Sequence, residues 1–424
     1  MSRLAVLLLT SPFVVLGSPT AYAADLTCHG VPATIVGTPG GTVEGTGGDD
    51  VVVTDGASLT RTLAGDDLVC VTGVEQVGIV VKTGNGDDLV DTTAVAWSVH
   101  VGLGPGIDSF LGGSGEDRVD VGGGEEGPET ISTGGGADFV QTGRNGQPMN
   151  EVVDTGPGAD LLTLRGLPGT GSFAAGDDRK DLLQLTDRTR ADWVVDDKGG
   201  ALVSGAARMP ATGFDWFELA GLSWSSLRFI GGPEPERVNV SKLPSPNPDG
   251  PVRVSLGGGG DQLTVGPLLT GPYNGGAARD DHLEIMGDPR TSLTRGSVSV
   301  DLDAGLSSVN GAVSSKTTSF AHVVLSDFDR SVVQGNAARN YVTIFGCRAT
   351  VHGGASGDMV LFTSTRSRCG NSSESQSLTA YGDDGPDYLL GGPGDDFLMG
   401  GRGKDTVKGR GGADICSGEN VSSC

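Results

Sequence analysis

Apolar residues fall along this chain in runs of two or three, set between glycine and aspartate. The clearest stretch is Gly382 to Ser417, which reads GDDGPDYLL, GGPGDDFLM, GGRGKDTVK, GRGGADICS. These are four nine-residue units with nothing between them. The eighth place is apolar in the first three (Leu389, Leu398, Val407) and is Cys416 in the last. A three-residue run with one inward side chain is the pattern of a very short strand, because successive side chains point to opposite faces. The fourth place is always glycine (Gly385, Gly394, Gly403, Gly412), and the sixth always aspartate (Asp387, Asp396, Asp405, Asp414). Glycine permits the left-handed backbone that a tight loop between such strands requires. Two units then close one turn of a parallel coil, and units two apart stack at strand spacing, about 4.8 Å. That register lays Asp387 over Asp405 and Asp396 over Asp414.

Looser copies run upstream. Gly45 to Val53, Thr62 to Cys70 and Thr83 to Asp91 each place an aspartate (Asp50, Asp67, Asp88) before an apolar pair. Leu103 to Asp120 gives LGPGIDSFL and GGSGEDRVD back to back, with Asp108 and Asp117; Thr133 to Gln141 carries Asp138. Counting the intervening segments as half-turns stacks Asp88 with Asp108 and Asp117 with Asp138. From about 185 to 330 the nine-residue pattern fades, although short alternating strands persist and no sustained helical period appears. The register returns at Gly335 and runs to Leu361, where Asp358 is the aspartate kept and Asn340 holds the equivalent place one turn earlier. The predicted fold is all-β, a right-handed parallel β-helix or β-roll whose loops carry glycine and aspartate. It divides into a block over 24–242, a proline-rich loop or linker at 243–251, and a block over 252–424.

Composition sharpens this reading. The 424 residues include 73 glycines, and aromatic residues make up only 5%. A conventional core would be thin, whereas a coil needs one apolar side chain per strand. The 53 acidic and 29 basic residues give a net charge of −24, which argues against nucleic acid and anionic membranes as partners. Arg3, the apolar stretch Leu4 to Leu16 and Ala21-Tyr22-Ala23 read as a signal peptide over 1–23, so a secreted protein is expected. No stretch is long enough for a membrane span. Six cysteines fit an oxidising compartment and allow fifteen pairings; neighbours in sequence are expected, Cys28–Cys70, Cys347–Cys369 and Cys416–Cys424.

Stacked carboxylates repel unless a cation lies between them. A hard cation such as calcium takes six to eight oxygens, from carboxylates and from the carbonyls of glycine-rich loops. The units at 382–417, with 103–120 and 335–361, resemble the G-G-x-G-x-D-x-U-x nonapeptide of the repeats-in-toxin (RTX, haemolysin-type) calcium-binding family. The resemblance implies a roll or helix whose folding is driven by calcium. On this reading the ligands come from Asp387 with Asp405, Asp396 with Asp414, Asp117 with Asp138, Asp88 with Asp108, and from Asp358. The family's repeats are often attached to an enzyme or toxin domain, and this sequence shows no separate domain of that kind.

Catalytic signatures are missing. The five histidines form no H-E-x-x-H, and no G-x-S-x-G occurs. Asp280-Asp281-His282 reads as a solvated turn. Phe214, Trp216, Phe217, Trp224 and Phe229 read as filling for a wider part of the core. The expectation is a monomeric, non-enzymatic, secreted calcium-binding protein with a structural or surface role. The alternatives are a polysaccharide lyase-like enzyme on a β-helix, or an adhesin with a cell-wall or polysaccharide partner.

Overall fold

The computed structural model describes residues 26–424 except 75–77, 123–126, 177–179, 220, 242–249, 268–270, 288–295, 365–368 and 370–375. The expected signal segment and most of the proline-rich stretch lie outside the described residues. Among those described, every element is a strand, and the strands stack into a parallel β-solenoid of about 16 turns. No helix among them is long and apolar enough to cross a membrane.

The coil has two faces, and short strands alternate between them. On one face Val51–Val53 pairs with Leu68–Cys70, then Leu89–Asp91, then Ser109–Leu111, all parallel. On the other, Ile79–Asn85 pairs with Val99–Gly102, then Arg118–Asp120, then Phe139–Thr142. The register puts the middle residues in single file: Val52, Val69, Val90 and Phe110 on the first face, Val81, Val101, Val119 and Val140 on the second. All of these are fully buried. Each such side chain removed from water contributes about 1.5–3 kcal/mol, so one per strand supports a coil that is poor in aromatics. The last turns repeat the plan, with Val360, Leu389 and Val407 stacked on one face and Ala380, Leu398 and Cys416 on the other.

Two antiparallel meanders interrupt the parallel order. Ala191–Asp196, Ala201–Ser204 and Ala207–Thr212 form the first, and Ser297–Asp301, Leu306–Val309 and Ala312–Thr318 the second. Each hands the stack on, because its first and last strands pair in parallel with the flanking turns. On either side of the proline-rich stretch the ladder is continuous: Trp224–Ile230 pairs with Val252–Ser255, and Arg237–Val240 with Gln262–Val265.

The ring cluster at 214–229 is core in four of its five members. Phe214, Phe217, Trp224 and Phe229 are buried, with Phe217 and Phe229 edge to face at 5.0 Å. Trp216 departs from the expectation and stands 41% exposed, because it occupies an outward place of its strand. The disulfides are Cys28–Cys70, Cys347–Cys369 and Cys416–Cys424, the neighbour pairings expected from the sequence.

Candidate metal site

The repeat aspartate sits one residue before its strand and folds inward beneath the loop. Asp387, Asp396 and Asp405 are almost wholly buried, and Asp414 is half-buried. One carboxylate oxygen ties successive turns together. Asp405 Oδ1 accepts the backbone N–H of Asp387 at 3.0 Å, and Asp414 Oδ1 accepts that of Asp396 at 2.9 Å. Likewise Asp387 Oδ1 accepts from Asp358 at 2.7 Å, and Asp358 Oδ1 from Asn340 at 2.8 Å. The structure thus stacks the residues that the register pairs.

The second oxygen turns back into the loop of its own unit. There it lies against the first-position glycine. A Cβ on Gly382, Gly391, Gly400 or Gly409 would collide with Oδ2 of Asp387, Asp396, Asp405 or Asp414 respectively. These glycines are therefore required for space. The fourth-position Gly385 and Gly403 are required for backbone, with φ of 138° and 149°. Asp396 Oδ2 accepts the Gly392 N–H at 2.6 Å. Oδ2 of Asp358, Asp387 and Asp405 is buried without any hydrogen-bond partner. Such orphaned oxygens are costly unless something polar meets them.

The same arrangement holds at the other sites expected from the sequence. Asp108 Oδ1 accepts from Asp88 N–H at 2.9 Å, and Asp138 Oδ1 from Asp117 N–H at 2.7 Å. Oδ2 of Asp88, Asp108 and Asp138 is again buried and unpartnered.

The ladder is far longer than the repeats. Beyond Asp138 it continues through Asp160, Asp181 and Asp215, each Oδ1 accepting the N–H of the preceding member at 2.8–3.0 Å. It then runs from Glu236 to Asp261 to Asp281. This is the region where the nine-residue pattern fades. The reading of Asp281 as part of a solvated turn is corrected here: its side chain is fully buried, and its Oδ1 accepts from Asp261. TGPGADLLT at 155–163, GDDRKDLLQ at 176–184 and LGGGGDQLT at 256–264 mark Asp160, Asp181 and Asp261 in the sequence; Asp215, Glu236 and Asp281 escape it, because successive members lie 20, 21, 22, 25 or 34 residues apart. The signal available was an acidic residue just before each short apolar pair. On the first face Asp50, Asp67, Asp88 and Asp108 form a second inner ladder. Beside it an exposed outer series runs the opposite way, with Asp49 Oδ1 accepting from Asp66, Asp66 from Asp87, and Asp87 from Ile107.

Burial dominates the electrostatics. It raises Asp88, Asp117 and Asp358 from 3.8 to about 7, and Asp108, Asp138, Asp281, Asp387 and Asp396 to about 6. The backbone N–H bonds pull each of them down, and for most of them a neighbouring carboxylate of the ladder pushes up further. A cation reverses that balance by favouring the charged form. The donors on offer are carboxylate oxygens and loop carbonyls with no sulfur or imidazole, which is the set a hard ion such as calcium takes. The residues present fit the ion.

A different cluster, His29, Cys70 and Asp91, brings potential ligands within 4.8 Å of one another. Cys70 is bonded to Cys28, so its sulfur is no thiolate, and His29 Nε2 pairs with Asp91 Oδ2 at 2.7 Å. This is a hydrogen-bonded histidine and aspartate beside a disulfide.

The family model for the RTX calcium-binding nonapeptide repeat matches four copies in this chain, over residues 104–125 and 381–419. The matched segments contain Asp108, Asp117, Asp387, Asp396, Asp405 and Asp414. Asp88, Asp138 and Asp358 lie outside them. Comparison with curated proteins gives no match.

Proposed function

Because the chain carries RTX calcium-binding nonapeptide repeats on a β-solenoid, we propose that it is a secreted protein that calcium sets into its folded form and whose role is structural or at a surface. The observation that carries this reading is the row of buried, unpartnered Oδ2 atoms at Asp358, Asp387 and Asp405, each lying against a glycine of its own loop. The holding residues are Asp387 with Asp405, Asp396 with Asp414, Asp117 with Asp138, Asp88 with Asp108, and Asp358. When bound, calcium supplies the positive charge that lets these carboxylates ionise. The chain's own part is to stack them, exclude water from them, and present the loop oxygens. Binding free energy then becomes folding free energy. Affinity of about 10⁻⁴–10⁻³ M, usual for extracellular modules, would leave the chain loose in a low-calcium cytosol and set it after export. Three disulfides support the extracellular assignment.

The test is calcium titration of the mature protein by calorimetry, with circular dichroism before and after chelation. Heat of binding at millimolar calcium and a fall in thermal midpoint on chelation are expected. An unchanged midpoint without calcium would sink the proposal.

A further inference from the structure

We propose that the cleft bounded by Lys180, Trp216, Arg237 and His282 binds an acidic polysaccharide, one carrying carboxylated sugar rings. The cleft has a volume of about 590 Å³, within the ordinary range of ligand sites. It lies on one face of the coil, where the outward first place of each strand forms a row: Trp216, Arg237, Gln262 and His282 follow one another in register. An in-register parallel stack offers one such side chain per rung, about 4.8 Å apart, which suits a chain of repeating units laid along the axis.

Three observations set the ligand's chemistry. The first is the platform. Trp216 is 41% exposed, while the other large rings of its cluster are buried. An exposed indole offers a flat apolar surface with a polar edge, to which the face of a sugar ring is matched. The guanidinium of Arg237 lies 5.8 Å from the ring centroid, so platform and cation are one unit. Past the cleft His282 lies 4.4 Å from the buried His322, which supports it from below and in turn lies 4.5 Å from Tyr341.

The second observation is charge. In a chain of net charge −24, Lys180 and Arg237 are both exposed at this cleft. The two acids that line it, the half-buried Asp215 and the buried Glu236, each have a carboxylate oxygen tied to a backbone amide. Asp215 Oδ1 accepts the N–H of Asp181 at 3.0 Å, and Glu236 Oε1 accepts that of Gly232 at 2.6 Å. Burial and the adjacent Asp261 also push the Glu236 acid far above its ordinary range. Asp280 adds a negative charge near His282, so the positive end of the cleft is the Lys180–Arg237 end. A single carboxylate there meets an ammonium and a guanidinium fork.

The third is the polar remainder. Gln262 and His282 supply donors and acceptors of the kind that hydroxyls pair with. Two cations are too few for a phosphate backbone, which is bound through many contacts.

The experiment is calorimetry of the full mature chain, calcium in excess, against short oligogalacturonates too short to gel with calcium. Binding that weakens with added salt is expected. Trp216→Ala and Arg237→Ala should each weaken it about tenfold or more, the worth of one charge-assisted or stacking contact. Trp216→Phe, which keeps a ring in place, should retain most of the affinity and controls for folding. The proposal is overturned if the wild-type chain does not bind. It is also overturned if both alanine variants bind as well as wild type, which would place the contact at the calcium loops, or if an uncharged oligosaccharide binds equally. It does not rest on the calcium reading, because a failure of calcium binding would show in the calcium titration alone.

Discussion

Acid should stabilise this protein when calcium is removed, the reverse of ordinary acid denaturation. The perturbation is exhaustive dialysis against a chelator, followed by thermal unfolding at a series of pH values. Asp88, Asp117 and Asp358 have folded-state values of about 7, and Asp108, Asp138, Asp281, Asp387 and Asp396 of about 6, all above the 3.8 of a free aspartate. A raised value means that the folded chain binds more protons than the unfolded chain between the two values. The stability contributed is whole below about pH 4 and is lost as pH climbs through 6 and 7. Three units at Asp88 correspond to about 4 kcal/mol at 1.36 kcal/mol per unit, before water penetration and mutual screening are allowed for. Discounted to about 1–2 kcal/mol each, the eight groups together cost roughly 10 kcal/mol at neutral pH, which is the size of a domain's whole net stability. His322, held near 4 by burial, acts the other way and removes stability as pH falls below its ordinary 6.5. The calcium-free chain should therefore be most stable near about pH 5 and melt early or lack β structure near pH 8. With calcium the slope should invert, because the ligands must be ionised. Circular dichroism melts in both conditions read this directly. A calcium-free protein more stable at pH 8 than at pH 5 would refute the reasoning, and so would a flat profile.

The other predictions concern single rungs and ends. Asp387→Asn keeps an acceptor for the Asp358 N–H but not the charge; it should abolish one calcium site by calorimetry while raising calcium-free stability at neutral pH by about 1–2 kcal/mol. Gly400→Ala forces a methyl group onto the Asp405 carboxylate and should cost about 1–3 kcal/mol in a denaturant titration, far more than alanine at the exposed Gly47, which has open space around it. Cys416→Ser with Cys424→Ser opens a loop of sequence separation 8 and should cost about 2–3 kcal/mol. That cost should appear as faster amide exchange confined to the last turns, since the bond closes the end of the stack.

The sequence made the coil legible where the unit is short and uniform. In Gly382 to Ser417 every loop has one length, so the register can be counted, and the stacked pairs follow from it. The middle of the chain obeys the same geometry with unequal loops. Asp181 and Asp215 are neighbours in space but 34 residues apart, because the meander from Ala191 to Thr212 lies between them. Backbone pairing tolerates such insertions at the coil's edge, whereas a fixed-period pattern does not. Asp281 is hidden in the sequence for a related reason. Beside Asp280 and His282 it looks like a polar turn, and only the pairing of His282–Met286 with Gln262–Val265 shows that it lies under the coil. Trp216 illustrates the limit of composition: five rings close in sequence suggest a core, yet the alternation of a strand must send one of them outward.

Asn340 shows how much of the ladder the fold itself demands. It holds the aspartate's place with a neutral amide, is fully buried, accepts the N–H of Asn336 at 2.9 Å and donates to the Ala321 carbonyl at 2.9 Å. Its strand nevertheless pairs in register with both neighbours. The place therefore needs a small polar group that caps the loop; it does not need a charge. A charged group there costs free energy, as the upward shifts of Asp358 and Asp387 record. The carboxylates of Asp387 and Asp405, whose second oxygen is buried without a hydrogen-bond partner, are thus in excess of what the coil requires. A cation that met those oxygens would turn the excess from a cost into a stabilising contribution, and the chelation and Asp387→Asn experiments measure that conversion at one rung.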